Sequence, residues 1–301
     1  MASSMLAITA PSYTDPSGYQ LSTLPRPVIS EPTDVLFRVH AASINPVDVK
    51  KAAGILKLAV KERFVDRPMA LPSSCALADL IEHSFPYQIG YDCAGVVTEI
   101  GKDVKSIKIG DEVFSRLPEA SRGAWSEYAK CPEHYVALKP KNLSFEDAAS
   151  SPLAGMTALQ TLSRYQGLLA GKTVFVPAGL SGTGALIVSV STQPSGTQLQ
   201  QSSVMKRPDN PRLPWFGRLF LDIFDTYRRT RARRWGVAYE YLFLDPNAKD
   251  LETLASHAEQ GKVTPVVGCT VNLKDVDDVK AACGTVYNGK GGIGKTVIRV
   301  G

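Results

Sequence analysis

The junction that most constrains this chain lies near its middle. An apolar, β-branched run of Thr173, Val174, Phe175 and Val176 enters the turn Ala178-Gly179-Leu180-Ser181-Gly182-Thr183-Gly184. A strand feeding a glycine-rich turn is how a dinucleotide site opens. Glycine lets the backbone approach a pyrophosphate, and the unpaired amides at the start of the next helix receive it. Ala178, Gly179, Ser181, Gly182, Thr183 and Gly184 are therefore the candidate cofactor-binding residues. A helix of ten or more residues should follow. Instead the chain reads Leu186-Ile187-Val188-Ser189-Val190-Ser191, a strand pattern, and breaks at Pro194-Ser195-Gly196. One βαβ unit takes about 30 residues or more and a full dinucleotide fold about six strands. The stretch 173–245 is too short, and mostly of the wrong pattern, to hold them.

At roughly 150 residues per domain, 301 residues predict about two domains. Upstream of residue 140 the signals are those of short strands and turns. Val35 to Val39, Gly95 to Ile100 and His134 to Leu138 are apolar or β-branched runs bounded by Gly, Pro or Asp. Their spacing predicts a compact, barrel-like β domain. Ser144-Phe145-Glu146-Asp147 has the form of a capping box, so a helix starts there and Pro152 interrupts or restarts it. Leu153, Met156, Leu159, Leu162 and Tyr165 form the stripe of a second amphipathic helix. Further on, the patterns predict helices at 218–235, 250–260 and 275–282, and strands at 264–270 and 295–300.

With 44% hydrophobic and 21% charged residues the chain is neither disordered nor fibrous. Its net charge of +5 is too mild to mark a nucleic-acid binder. The five cysteines are scattered without a C-x-x-C pair, which argues against a zinc lobe or a disulfide framework and for free, mostly buried thiols. The N-terminus has no basic region like that of a signal peptide, and no stretch approaches the ~18 apolar residues of a membrane span. The expectation is a soluble, cytoplasmic protein with no membrane and no nucleic-acid partner. Two tempting motifs are set aside. Gly289 to Thr296 matches the P-loop pattern, yet too little chain follows for the helix that cradles phosphate, so a turn before a closing strand is expected. The arginines between 228 and 234 lack interleaved aromatics and read as a solvated helix face. Lys206 and Arg207 sit where a ribose-reading residue would be sought, but follow no second strand.

Several stretches in order carry a resemblance: Asn45-Pro46-Val47-Asp48, Gly90-Tyr91-Asp92-Cys93-Ala94-Gly95, Gly110-Asp111-Glu112-Val113, Gly123-Ala124-Trp125-Ser126-Glu127-Tyr128, Pro152-Leu153-Ala154-Gly155-Met156-Thr157-Ala158, the glycine turn, and Gly294-Lys295-Thr296-Val297. Together they resemble the medium-chain dehydrogenase/reductase superfamily, in its zinc-independent quinone oxidoreductase and fungal trans-enoyl reductase-like branch. The resemblance implies an α/β fold (α+β overall): a GroES-like β-barrel catalytic domain plus a truncated Rossmann-type nucleotide-binding domain. The implied bounds are 1–143 for the catalytic domain, 144–262 for the shortened cofactor domain, and 263–301 for the return to the first. Zinc-dependent members carry a Cys in the loop here occupied by Asn45 to Asp48, and a Gly-His-Glu where this chain has Gly90-Tyr91-Asp92. Those ligands are missing, so metal-free chemistry is expected.

The resemblance further implies NADPH as cofactor and hydride transfer to an activated C=C of an enone or enoyl thioester, or to a quinone. It nominates Asn45 and Thr157 beside the nicotinamide and Lys50 as cationic donor near the substrate carbonyl or a phosphate. A competing reading follows from the missing helix: several βα units are deleted, and the chain is an inactive member acting as an interaction protein. Its uncovered apolar surface would then be met by homodimerisation or by an intact paralogue.

Overall fold

The computed structural model describes residues 4–54, 86–164, 186–189, 194–202, 205, 212–234, 236 and 238–301. The expected strand at 173–176, the whole glycine turn at 178–184, Tyr165, Cys75, Lys206 and Arg207 lie outside the described residues. In chain order the elements are β1 (Ser4–Ala10), β2 (Gln20–Pro25), β3 (Asp34–Ser43), α1 (Pro46–Ala52), β4 (Tyr87–Gln88), β5 (Asp92–Ile100), β6 (Glu112–Arg116), β7 (Tyr128–Pro132), β8 (Val136–Leu138) and α2 (Phe145–Ser150). They continue with α3 (Pro152–Arg164), β9 (Leu186–Ser189), α4 (Gly196–Gln201), α5 (Trp215–Arg233), β10 (Ala238–Tyr241), α6 (Ala248–Glu259), β11 (Val267–Asn272), α7 (Val276–Tyr287) and β12 (Lys295–Arg299). Two compact units form, one from Met1–Pro152 with Asn247–Gly301 and one from Leu153–Pro246.

The first unit is organised around β3. Val35, Leu36, Phe37, Val39, Ala41 and Ala42 are fully buried, so this strand reads as a near-continuous apolar run with both faces covered. It pairs antiparallel with β5, β7 and β12, inside a sheet of order β11-β12-β3-β5-β6-β8. Val39 stands opposite Gly95, where an added Cβ would lie 2.0 Å from the Arg38 carbonyl oxygen; only glycine permits that approach. A second sheet, β2-β1-β4, meets the first through the Ile8 N–H, which donates to the Trp125 carbonyl at 2.8 Å, and the Glu127 N–H, which donates to Leu6 at 3.0 Å. Trp125 is buried at this seam, and its indole N–H donates to the Ser43 carbonyl at 3.1 Å. Gly90 (φ +102°) passes so close beneath that ring that a Cβ would meet it at 2.3 Å.

Helices cover the sheets. Ser144 caps α2 by accepting the Asp147 N–H at 3.1 Å, as the Ser-x-x-acid signal predicts, while the Asp147 carboxylate takes the Ser144 hydroxyl at 2.8 Å. Both α2 and α6 pack on strands of the first unit, α2 against β3 and β5 and α6 against β8. The span 144–262 is thus shared between the two units, because the apolar faces of these two helices are buried on the β domain. The parallel pair β11 and β12 is linked by α7, which runs past the expected end at 282 because Val279, Cys283, Val286 and Tyr287 keep one face turned to the core. The P-loop lookalike is the turn between α7 and β12, with Gly289 and Gly294 at φ +67° and +85°, and β12 begins at Lys295. Among the described cysteines, Cys93, Cys131 and Cys283 are buried, Cys269 is exposed, and all four are free thiols. Burial pushes the Cys131 thiol up to about 12.

In the second unit β9 and β10 form a parallel pair. The Ser195 hydroxyl accepts the Gln198 N–H at 3.0 Å to cap α4, and α5 packs on α4 and β10. Helix α5 starts at Trp215, earlier than the expected 218, because Pro214 sets the extended backbone that precedes it. Along α3, Met156 is buried and Leu153 and Leu159 partly so, while Leu162 is exposed.

Gly95→Ala should destabilise the first unit by about 2 kcal/mol, the usual size of an overpacking penalty, in denaturant titrations followed by tryptophan emission. An unchanged midpoint would mean that β3 and β5 can separate at no cost.

Candidate functional site

The chain leaves β3 at Ser43 and turns into α1 at Asn45, whose extended backbone (φ −115°, ψ 152°) precedes Pro46 at the first helical position. The Asn45 N–H donates to the Asp48 carboxylate at 2.6 Å. Its side chain is fully buried and committed at both ends. The Nδ2 group donates to Asp92 Oδ2 at 3.0 Å, and Oδ1 accepts from the Lys295 ammonium. Residues 250 positions apart are thereby joined. Lys295 is half-buried at the start of β12 and Asp92 is buried at the start of β5. Asp48 is also buried, and its Oδ1 atom has no hydrogen-bond partner. Burial, seconded by the neighbouring Asp92 charge, outweighs the Asn45 N–H bond and the Lys295 and Arg116 charges, pushing Asp48 up to about 8. At neutral pH it is mostly a neutral acid.

A second polar cluster lies on the same face of α1. Asp48, Val49, Lys51 and Ala52 point inward, and Lys50 is exposed. The Lys51 ammonium pairs with Glu119 and donates to the Tyr91 hydroxyl at 3.1 Å, and Tyr91 in turn donates to Glu119 at 2.8 Å. Arg122 stands 3.7 Å from Glu119, and the Arg116 guanidinium lies over the Tyr91 ring at 4.5 Å. Burial opposes the Glu119 charge, yet the Lys51 and Arg122 charges overcome it and hold this carboxyl at about 2. Arg116 also favours the ionised form of Asp48, so the two clusters share one field.

Of the residues nominated from the sequence, Asn45 is at the centre of this polar set. Lys50 stands outside it, on the solvent face of α1. Thr157 lies on α3 in the second unit, its hydroxyl donating to the Leu153 carbonyl at 2.7 Å. The glycine-turn candidates fall outside the described residues. Sequence reasoning missed Lys51, because its i+3 spacing from Asp48 marks it as inward only once the burial of Asp48 is known. It also missed a role for Lys295, which entered only within the P-loop lookalike and the Gly294-Lys295-Thr296-Val297 stretch of the resemblance. Glu119, Arg116 and Arg122 left no sequence signal, since their meeting depends on loops that only the fold brings together. Among the described residues, no group of three His, Cys, Asp or Glu side chains is close enough to hold a metal ion.

Residues 31–141 match the alcohol dehydrogenase GroES-like domain. Two curated relatives are a 2-methylene-furan-3-one reductase of Solanum lycopersicum, 37% identical over 52% of this chain and 36% of that protein, and a chloroplastic NADPH-dependent alkenal/one oxidoreductase of Arabidopsis thaliana, 31% identical over 78% of this chain and 55% of that protein. The solved quinone oxidoreductase of Coxiella burnetii superposes with a TM-score of 0.69 at 21% identity, covering 99% of this chain and 100% of that one. The chain therefore carries an alcohol dehydrogenase GroES-like domain over residues 31–141, in a fold like that of the solved quinone oxidoreductase. It spans only about a third to just over half the length of these curated relatives. The Asn45 amide and the Asp92 carboxylate meet at 3.0 Å, and the Tyr91 side chain next to Asp92 is engaged by Lys51 and Glu119. An ammonium occupies the Asn45 oxygen, so this donor set does not fit a divalent cation.

The two buried carboxyls predict opposite pH dependences. Asp48 holds its proton more tightly when folded than when unfolded (about 3.9), so stability should fall as pH rises from about 4 to about 8. Glu119 holds its proton less tightly than its unfolded value of about 4.3, so stability should fall as pH drops from there toward 2. Denaturant titrations across pH should show both slopes, Asp48→Asn flattening the upper and Glu119→Gln the lower.

Proposed function

We propose that this chain is an NADPH-dependent oxidoreductase that reduces an activated carbon–carbon double bond, or a quinone, without a catalytic metal. The observation that supports this reading best is the Lys295–Asn45–Asp92 chain: an ammonium steered by a buried amide, beside a carboxyl kept neutral. The set suits an electron-rich ligand, since Lys295 offers N–H groups, the mostly neutral Asp48 adds no charge, and the Asp92 carboxylate is engaged by the Asn45 amide. NADPH, when bound, supplies the hydride that adds to the β carbon of the unsaturated carbonyl. Electron density then moves to the substrate carbonyl oxygen, and a fixed cationic donor stabilises it as it forms.

We assign that donor to Lys295 and a positioning role to Asn45. Lys50, on the exposed face of α1, suits a substrate phosphate. Thr157 spends its only hydroxyl proton on Leu153 and keeps lone pairs to accept an N–H from the cofactor carboxamide. Ala178, Gly179, Ser181, Gly182, Thr183 and Gly184 are the pyrophosphate turn in this reading, within a shortened cofactor half that includes the Leu153–Pro246 unit. NADPH in preference to NADH follows the relative named for it.

Two measurements test the proposal. NADPH fluorescence titration of the folded protein should show saturable binding, and an enone or quinone should accelerate NADPH oxidation. Lys295→Met should lower kcat/KM about 100-fold, as loss of one oxyanion donor does. Asn45→Ala should lower kcat while sparing NADPH affinity, because it releases the lysine without touching the pyrophosphate turn. A folded protein that binds no NADPH leaves only the inactive-member reading.

A further inference from the structure

Helix α5 presents a surface that the redox reading does not use. Trp215, Leu219, Ile223 and Tyr227 repeat every fourth residue along it, with Phe216, Phe220 and Phe224 beside them. All seven are exposed, from 42% at Phe224 to 77% at Trp215. The band is about 18 Å long at 1.5 Å per residue. Aromatic contacts run along it, with Phe220 and Phe224 edge-to-face at 4.7 Å. In the last turn the helix becomes basic. Arg231 and Arg234, with Tyr227 and Thr230, line an open crevice of about 360 Å³.

Charge on α5 is sorted by face. The helix and its cap hold six arginines and two aspartates. Both aspartates turn toward the body of their unit: Asp222 accepts the Thr197 N–H at 3.0 Å, and buried Asp225 pairs with Arg229 at 2.6 Å. Arg218 is held toward the same side by Thr197 at 3.1 Å. The outward face thus carries large apolar groups followed by arginines, with no carboxylate to answer them.

We propose that α5 is an interfacial helix that docks the protein on a membrane surface rich in anionic phospholipid. Its aromatic band enters the headgroup–acyl boundary, and the Arg231–Arg234 crevice receives a lipid phosphate. A strong apolar face combined with low overall hydrophobicity and a basic end is the pattern of a helix lying in the interface plane. No helix among the described residues is long and apolar enough to cross a membrane, so the contact is peripheral. A second copy packing the same helix face to face suits it less well, because that face of α5 offers the same arginines and no carboxylate. The docking is independent of any NADPH chemistry.

The test uses the full chain and large unilamellar vesicles, either phosphatidylcholine alone or phosphatidylcholine with one-third phosphatidylglycerol. Co-sedimentation should show binding to the anionic vesicles and at least tenfold weaker binding to neutral ones. Arg231→Gln with Arg234→Gln should weaken it about thirtyfold, from about 1 kcal/mol per basic side chain near the surface, and the Arg→Lys pair should restore most of it. Phe220→Ser with Phe224→Ser should also weaken binding, with far-UV circular dichroism unchanged. Added salt should reduce the affinity without abolishing it. The proposal is overturned if anionic vesicles are not bound, if either pair of substitutions leaves binding unchanged, or if salt alone removes it. A lipid-free dimer that Phe220→Ser with Phe224→Ser dissolves would equally overturn it.

Discussion

Strand β3 is buried on both faces and hydrogen-bonded to β5, β7 and β12, and the rest of the first unit is positioned by it. A strand paired along both edges and buried at eight of its ten positions cannot shift register without turning apolar side chains into polar surroundings. The end of β3 is consequently a rigid platform. Asn45 stands two residues beyond it and joins β5 through Asp92 and β12 through Lys295. The amide fits this place because it donates and accepts at once, satisfying a carboxylate on one side and an ammonium on the other.

Helix α1 shows how one short element sets two carboxyls to opposite charge states. Asp48 is buried with one N–H donor and a like charge nearby, so its proton is retained. Glu119, buried as deeply, faces Lys51 and Arg122 and stays ionised. The Lys51–Glu119 pair is weak support for net stability, because desolvation offsets much of the attraction. Removing one partner would nevertheless be costly, about 3–5 kcal/mol, since it strands a buried charge. The network therefore holds α1 and the loop after β6 in one arrangement, with the Tyr91 hydroxyl as the shared hydrogen-bonding centre.

Much of the β domain was legible in the residues. The runs at 35–39 and 95–100 lie within β3 and β5, and the capping signal at Ser144 marks the start of α2. The P-loop lookalike was read as a turn before a closing strand, and the structure has that turn, with Gly289 and Gly294 at positive φ and β12 starting at Lys295. The helix lying behind the arginine run was visible too, but not the exposure of its aromatic face: periodicity shows that a stripe exists without showing what covers it. At α1 the lysine nominated by resemblance was the exposed Lys50, whereas Lys51, three residues after the buried Asp48, turns inward.

Local pattern by itself determined the runs of β3 and β5, the start of α2, the GroES-like domain, and Asn45 as a residue of interest, because these rest on short-range periodicity and ordered motifs. Tertiary structure alone decided that Lys295 reaches Asn45, that Glu119 gathers a lysine and an arginine, and that Asp48 keeps its proton. Each of these depends on groups far apart in the chain meeting where water is excluded. Burial and distance set their charge and hydrogen bonding, and neither quantity is a property of a residue's neighbours in sequence.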